Sequence, residues 1–147
     1  MDFMTIQWIF RKKENQAILV YGGEKNLEES ILKSIRSMIG PYADCEEYDV
    51  DLITAINSAF FTLHQLGVGP IDTFQINGID EKWADFFDGN ESEFQMVKTY
   101  VYLSTRLDVD PPTTQSILSS MERRKQECEW RLNFKVEGGD CYGLYGC

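Results

Sequence analysis

Metal-binding residues are scarce in this chain of 147 residues. It has one histidine, His64, and its four cysteines form no Cys-x-x-Cys pair. Zinc sites use closely spaced pairs of such ligands, so the usual zinc-binding patterns are excluded, and we expect neither a metal nor a cofactor. The cysteines are expected to be free thiols, with a Cys141–Cys147 disulfide in the C-terminal tail as the alternative.

Catalytic motifs are missing as well. The sequence has no Gly-x-Ser-x-Gly motif, no Walker-type loop and no Gly-x-Gly-x-x-Gly motif. A histidine-based catalytic group would have to use His64, which we place at the edge of an apolar helix stripe, where histidine is usually structural. Acidic residues are so abundant that any chosen carboxylate pair is unspecific. We therefore predict a protein that is not an enzyme and has no catalytic residues.

Long apolar runs and a secretory signal are also absent. No stretch approaches the ~18 consecutive apolar residues of a membrane span. At the N-terminus the basic run Arg11-Lys12-Lys13 follows the apolar segment, whereas a secretory signal has the positive charge first. We expect no membrane partner and synthesis in a cytoplasm. Hydrophobic residues make up 43% of the chain, which is typical of one globular domain.

Prolines are few, and all four fall between segments with helical periodicity. The sequence therefore predicts an all-α fold, a small bundle of about four main helices with a short extended loop between the second and third. The four helices are predicted over residues 27–39, 50–66, 93–107 and 112–133, with a shorter one over 81–87. Asn26 and Asp49 are expected as N-caps, and Gly67 as the residue that ends the second helix.

Three of the predicted helices carry a large aromatic residue away from the apolar stripe. These residues are Phe61, Tyr102 and Trp130. Aromatic residues are enriched at the buried centres of protein interfaces, so we expect them to contact other chains. The alternative is packing against the protein's own loops and termini. The loop over residues 68–78 is also expected to reach a neighbouring chain or the portal, through Val68, Phe74 and Ile76.

Basic residues are nearly absent from the middle of the chain. Residues 40–93 hold 12 acidic residues and one basic residue, a balance of −11, whereas the whole chain has a net charge of −10. Such a surface disfavours tight DNA binding, which depends on basic residues that neutralise phosphates. It is either a solvated acidic face or an acidic docking or channel surface. The candidates for the second role are Asp44, Glu46, Glu47, Asp85 and Asp88.

Four stretches of the sequence resemble one protein family. They are AINSAFFTLHQLGVGP (residues 55–70), KWADF (82–86), VKTYVYLSTRLDVDPPT (97–113) and ECEWRLN (127–133). These stretches look like the head–tail connector, or adaptor, proteins of long-tailed phages and prophages of Gram-positive bacteria. The resemblance covers residues 27 to about 134, and its LGVGP, DPPT and EWRLN segments occur together in that family.

The resemblance implies a structural role in the neck of the virion, with assembly in the cytoplasm of the bacterial host. The implied self-partner is a ring-shaped homo-oligomer that matches the symmetry of the portal protein, as a dodecamer. The other implied partners are the portal itself and a stopper or tail-completion protein. DNA would pass through the ring without specific binding. If the five acidic candidates line the ring's lumen, they would repel DNA and let it slide.

The sequence departs from the family pattern in two places. Asp108 stands where an apolar residue is more usual, and residues 1–26 precede the resemblance. We expect an N-terminal extension (1–26), a helical connector domain (27–134) and a C-terminal tail (135–147). The extension is either native or a translated leader, since Gly22-Gly23-Glu24-Lys25 can be encoded by codons that resemble a ribosome-binding site.

Two other functions remain open from the sequence. One is a small helical DNA-binding phage regulator, for which only residues 122–131 have dense positive charge, offset by acidic residues. The other is a different neck component, such as a stopper or completion protein, which we expect to be richer in strands.

Overall fold

The computed structural model describes residues 26–40, 45–87, 92–136 and 138. Within these ranges it has five α-helices and no strand, which confirms the predicted all-α fold. The helices are α1 (Ile31–Ile39), α2 (Asp49–Gln65), α3 (Trp83–Phe87), α4 (Phe94–Val109) and α5 (Gln115–Val136), with a 3₁₀ turn (Glu46–Tyr48) before α2.

The first helix begins later than predicted, and Asn26 is not its cap. Ser30 is the N-cap, and its hydroxyl accepts a hydrogen bond from the Lys33 N–H at 3.4 Å. The four residues before α1 pair their backbone with the start of α3 instead, since the Ala84 N–H donates to the Leu27 carbonyl at 2.9 Å. This pairing satisfies backbone groups that a longer helix would have used within itself.

The second helix matches its predicted length but differs at the N-terminus. Tyr48 occupies the N-cap position, and Asp49 is the first helical residue. The Asp49 carboxylate forms an ion pair with the buried Arg36 of α1, which joins the two helices. At the other end Gly67 has a φ of 78°, as expected for the residue that ends this helix.

An aromatic cluster fills one end of the core. Phe60 of α2 lies at ring-centroid distances of 4.8 Å from Phe86 and 6.2 Å from Trp83. The Trp83 indole N–H donates to the Ser34 hydroxyl at 2.9 Å, so the buried ring has its polar partner. The spacing of Ile31, Leu32, Ile35 and Met38 predicts that all four face the core, but Met38 is 41% exposed and the next residue, Ile39, is buried.

Helix α4 is the centre of the bundle and packs against α1, α2 and α5. Helix α5 packs mainly on α4, and of its 22 residues only Cys128 and Leu132 are buried. The bundle therefore has a well-covered part, α1 to α4, and a long helix attached along one side. Among the described helices, none combines the length and apolarity that crossing a bilayer requires.

Candidate interaction surfaces

The described residues contain no group of three or more potential metal ligands. Among the described residues, three of the surface clefts have volumes of about 390 to 430 Å³, and His64 lines none of these three. The histidine is half-buried in the last turn of α2, where its backbone carbonyl accepts from the Gly67 N–H. The geometry of these clefts brings no histidine-based catalytic group together, so the exposed surfaces are the candidates for function.

Two of the three outward aromatic residues are exposed. Phe61 on α2 is 51% exposed and Trp130 on α5 is 65% exposed. The Trp130 ring stacks on Phe134, one turn further along, at a centroid distance of 5.5 Å. Tyr102 differs from the expectation, because it is only partly exposed and packs against the core of its own chain. Its contact with another chain stays a prediction for the exposed part of the ring.

The predicted role of the loop residues needs a correction. Val68 and Ile76 are buried in the protein's own core, with exposed fractions of 5% and 0%. Phe74 packs edge-on against Phe60, at 5.2 Å, and against Phe86, at 5.5 Å. In the single chain, Val68 and Ile76 are therefore covered by the protein's own core and Phe74 is partly covered. A contact with another chain stays a prediction for the exposed part of Phe74.

The loop lies against the bundle because one amide holds it there. The Asn57 side chain of α2 donates to the Ile76 carbonyl at 2.9 Å and accepts from the Ile76 N–H at 2.8 Å. This pair of hydrogen bonds substitutes for a strand partner of Ile76. Sequence reasoning missed it, since an asparagine in a helix gives no signal of a partner 19 residues away.

The turn that follows is closed by a carboxylate. Glu81 accepts from the backbone N–H groups of Asn77, at 3.0 Å, and Gly78, at 3.2 Å. Partial burial opposes the charged form, but these N–H groups outweigh it and lower the pKa of Glu81. With both ends of the loop fixed, its tip exposes Ile71 almost completely, at 96%. Ile71 is not among the residues predicted from the sequence to contact other chains.

The acidic candidates lie on different elements. Glu46 and Glu47 are exposed in the 3₁₀ turn before α2. Asp85 is exposed on α3, and its carboxylate accepts from the Lys82 backbone N–H at 2.8 Å, which caps that helix. Asp44 and Asp88 lie outside the described residues. A role for any of them in a lumen or at a docking surface stays a prediction.

Helix α5 has a net positive charge, opposite in sign to the acidic candidates. It holds five basic and three acidic residues, a balance of +2. Several of these charges are paired, as Arg131 is with Glu127 at 2.5 Å and Lys135 with Glu93 at 2.8 Å. Arg123 and Arg124 are exposed and have no ion-pair partner in the part of the chain that the structure describes.

One buried hydrogen bond attaches the middle of α5 to α4. The Tyr100 hydroxyl of α4 donates to the Glu129 carboxylate at 3.0 Å. Burial raises the pKa of Tyr100, and the negative charge of Glu129 raises it further, so the hydroxyl keeps its proton. Cys128, beside this contact, is a buried free thiol whose pKa is raised by burial, and Cys45 is an exposed free thiol. Cys141 and Cys147 lie outside the described residues.

Comparison with known proteins gives one match. Neither the curated proteins nor the solved structures contain a significant match to this chain. A family model described as "Phage connector protein" matches residues 31–139, which overlaps most of the helical domain expected over residues 27–134. The match spans well over half of a chain that is helical throughout its described elements. The protein therefore belongs to the phage connector family, a family of structural proteins of the phage neck.

Proposed function

We propose that this protein is the head–tail connector, or adaptor, of a long-tailed phage or prophage of a Gram-positive host, and that it assembles as a ring beneath the portal. The ring has the symmetry of the portal, as a dodecamer, and extends the DNA channel towards the tail. Its far side receives a stopper or tail-completion protein. The observation that carries this proposal is the connector family match over residues 31–139.

The distribution of apolar surface supports assembly with other chains. Helix α5 is 22 residues long, about 33 Å, yet it packs mainly on α4. Phe61 and Trp130 are large aromatic side chains that remain exposed in the single chain. Large aromatic residues of this kind account for much of the binding energy at protein interfaces. A ring covers them by presenting one face of each protomer to the opposite face of the next.

The charge of the protein supports a channel that DNA crosses without stopping. The net charge of −10 gives no attraction for phosphates, and α5, the described helix with the most basic residues, has three acidic residues among its five basic ones. Acidic groups such as Glu46 and Glu47 are exposed and available to face a lumen or a basic partner.

The proposal is tested by co-expression with the portal protein encoded in the same genome. We expect the two proteins to purify together and electron microscopy to show a closed ring of this protein on one end of the portal. The portal expressed alone is the control for the shape of the assembly. If the two proteins do not co-purify and no ring forms in the mixture, the connector function is wrong for this chain.

A further inference from the structure

We propose that the outer face of α5 packs against the outer face of α2 in the next protomer, with the two helices parallel. The occupant of each face is thus a second copy of this chain. This inference rests on the proposed ring, because it identifies the two surfaces that join neighbouring protomers. The surfaces are complementary in charge, and each carries an exposed aromatic residue.

The α5 face consists of Arg123, Arg124, Trp130 and Phe134. At about 100° per residue, Arg123, Trp130 and Phe134 fall within about 40° of one another, on the side away from the buried Cys128. Arg124 lies at the edge of this face, about 40° from Cys128, and lines a shallow cleft together with it. Arg123, Arg124 and Trp130 are exposed, and Phe134 supports the tryptophan ring by stacking on it. The face is therefore a fixed aromatic group next to two arginines that have no ion pair within the described chain.

The α2 face consists of Val50, Asp51 and Phe61, together with Glu46 and Glu47 of the preceding turn. Val50 is 73% exposed and Phe61 is 51% exposed, and both lie on the side of α2 away from the core. From Glu46 to Gln65 there are four acidic residues and no lysine or arginine. This face thus combines apolar surface with a charge opposite to that of the α5 face.

A cleft beside the α2 face fits an arginine side chain. It has a volume of about 390 Å³ and lies between α2 and the end of α4, where it is lined by Asp51 and Asp108. Both carboxylates lack an ion-pair partner among the residues that the structure describes, and Asp108 is exposed. Asp108 is also the position at which the sequence departs from the family pattern. Two carboxylates at one cleft suit the planar, multiply donating guanidinium group.

The spacing along the two helices fixes their relative direction. Trp130 lies six residues after Arg124, about 9 Å along α5, and Phe61 lies ten residues after Asp51, about 15 Å along α2. With the arginines at the cleft, parallel helices bring Trp130 towards Phe61, and the difference of about 6 Å is within reach of these long side chains. Antiparallel helices would place the two aromatic residues on opposite sides of the cleft.

Among the described residues neither face is covered, since Val50, Phe61 and Trp130 all remain exposed. Repeating the contact from one protomer to the next uses every face once and gives a head-to-tail ring. The contact therefore accounts for the exposed aromatic groups, the unpaired arginines and the acidic cleft with one partner.

The first test uses charge reversal in the complex with the portal. We expect Arg123→Glu with Arg124→Glu, and separately Asp51→Arg with Asp108→Arg, to lower the yield of rings about tenfold or more. All four changes in one chain should restore much of the yield. The control, Lys33→Glu, reverses an exposed charge that lies outside both faces and has no ion-pair partner among the described residues, and it should leave the yield unchanged. Circular dichroism confirms that each variant keeps its helices.

The second test measures the register directly. In a background with Cys45, Cys141 and Cys147 changed to serine, Phe61→Cys with Trp130→Cys should give a ladder of covalently linked chains in the assembled ring on treatment with a bis-maleimide reagent long enough to span the offset of the two positions. Replacing the second change by Ile117→Cys, on α5 but outside the α5 face, should give little cross-linking.

The outcomes separate this inference from the function on which it rests. If wild-type protein forms rings while the charge-reversed variants do so equally well, or the Phe61–Trp130 pair does not cross-link, the interface is wrong and the connector function stands. If wild-type protein forms no ring on the portal, the function is overturned and the interface with it.

Discussion

At the scale of single residues, the Asn57 side chain fixes the loop of residues 68–78 to α2 through two hydrogen bonds to the backbone of Ile76. We expect Asn57→Ala to lower the free energy of unfolding by about 1–3 kcal/mol, because it leaves both backbone groups of Ile76 without their partner. Urea denaturation of the variant measures this change. Ser58→Ala, at the next and exposed position of α2, is the control and should change stability by less than about 0.5 kcal/mol. Equal stability of the two variants would contradict the role of the amide.

Glu81 gives the same loop a dependence on pH. Its pKa is lower in the folded protein than its ordinary value of 4.5, so its contribution to stability is complete above that value. The contribution is lost as the pH falls from about 4.5 through the lowered pKa of the folded state. We expect Glu81→Gln to be less stable than wild type by about 1 kcal/mol at pH 7, with the difference shrinking below pH 4.

Urea midpoints at pH 7, 5, 4 and 3 test this prediction. Glu122→Gln is the matched control, because Glu122 is exposed on α5 and has no hydrogen bond or ion pair among the described residues. A stability difference for Glu81→Gln that stays constant with pH would show that the charge on this carboxylate does not hold the turn.

At the scale of helices, two glycines with similar backbone angles allow the cost of backbone strain alone to be compared with the cost of strain plus a steric clash. Gly40 and Gly67 have φ values of 86° and 78°, which disfavour any side chain with a Cβ. A Cβ at Gly40 meets nothing within 4 Å, whereas one at Gly67 lies 2.9 Å from Val136 Cγ1 of α5. We expect Gly40→Ala to cost about 1 kcal/mol and Gly67→Ala to cost more, by thermal or urea unfolding. Equal costs would mean that the end of α5 moves freely away from α2.

The ends of the helices show what local sequence can and cannot predict. Gly67 was identified from its position after an apolar stripe, because the left-handed conformation that ends a helix is a local property. The start of α1 was misplaced, because residues 27–30 pair with the backbone before and at the start of α3, more than 50 residues away. At the end of α1, Met38 was predicted from its helical spacing to face the core, but Ile39 is buried instead, which periodicity alone does not give.

At the scale of the whole molecule, α5 should open before the rest of the bundle. Residues 117–122 of this helix are largely exposed, whereas most of residues 97–105 of α4 are buried or partly buried. We expect backbone amide hydrogens in residues 117–122 to exchange about tenfold faster than those in residues 97–104, measured by mass spectrometry on the isolated protein. Assembly into the ring should slow exchange in α5 and on the exposed side of α2. Equal protection of α4 and α5 in the isolated protein would contradict this order of opening.

For the candidate surface residues, as for the helix ends, exposure could be predicted from the sequence only where a local pattern determines it. Phe61 and Trp130 were found from the sequence, because a helix period of 3.6 residues is enough to identify a side chain opposite the core. Val68, Phe74 and Ile76 were assigned to a neighbour because their loop has no period from which burial can be inferred. Their burial depends on tertiary contacts, such as the Asn57 hydrogen bonds to Ile76 and the packing of Phe74 on Phe60, which no local pattern predicts. The acidic cleft of Asp51 and Asp108 joins two helices and has no signature in either one.

The attachment of α5 to a single neighbouring helix has a mechanical consequence. Tilting α5 disturbs few buried side chains, since only Cys128 and Leu132 are fully enclosed on it, while α1 to α4 stay packed. If α5 forms the proposed interface, its tilt relative to α1 to α4 can change the angle between adjacent subunits while the core of each subunit stays packed. The curvature of the closed circle would then be dictated by the template on which it forms, and not by the rigid part of each subunit.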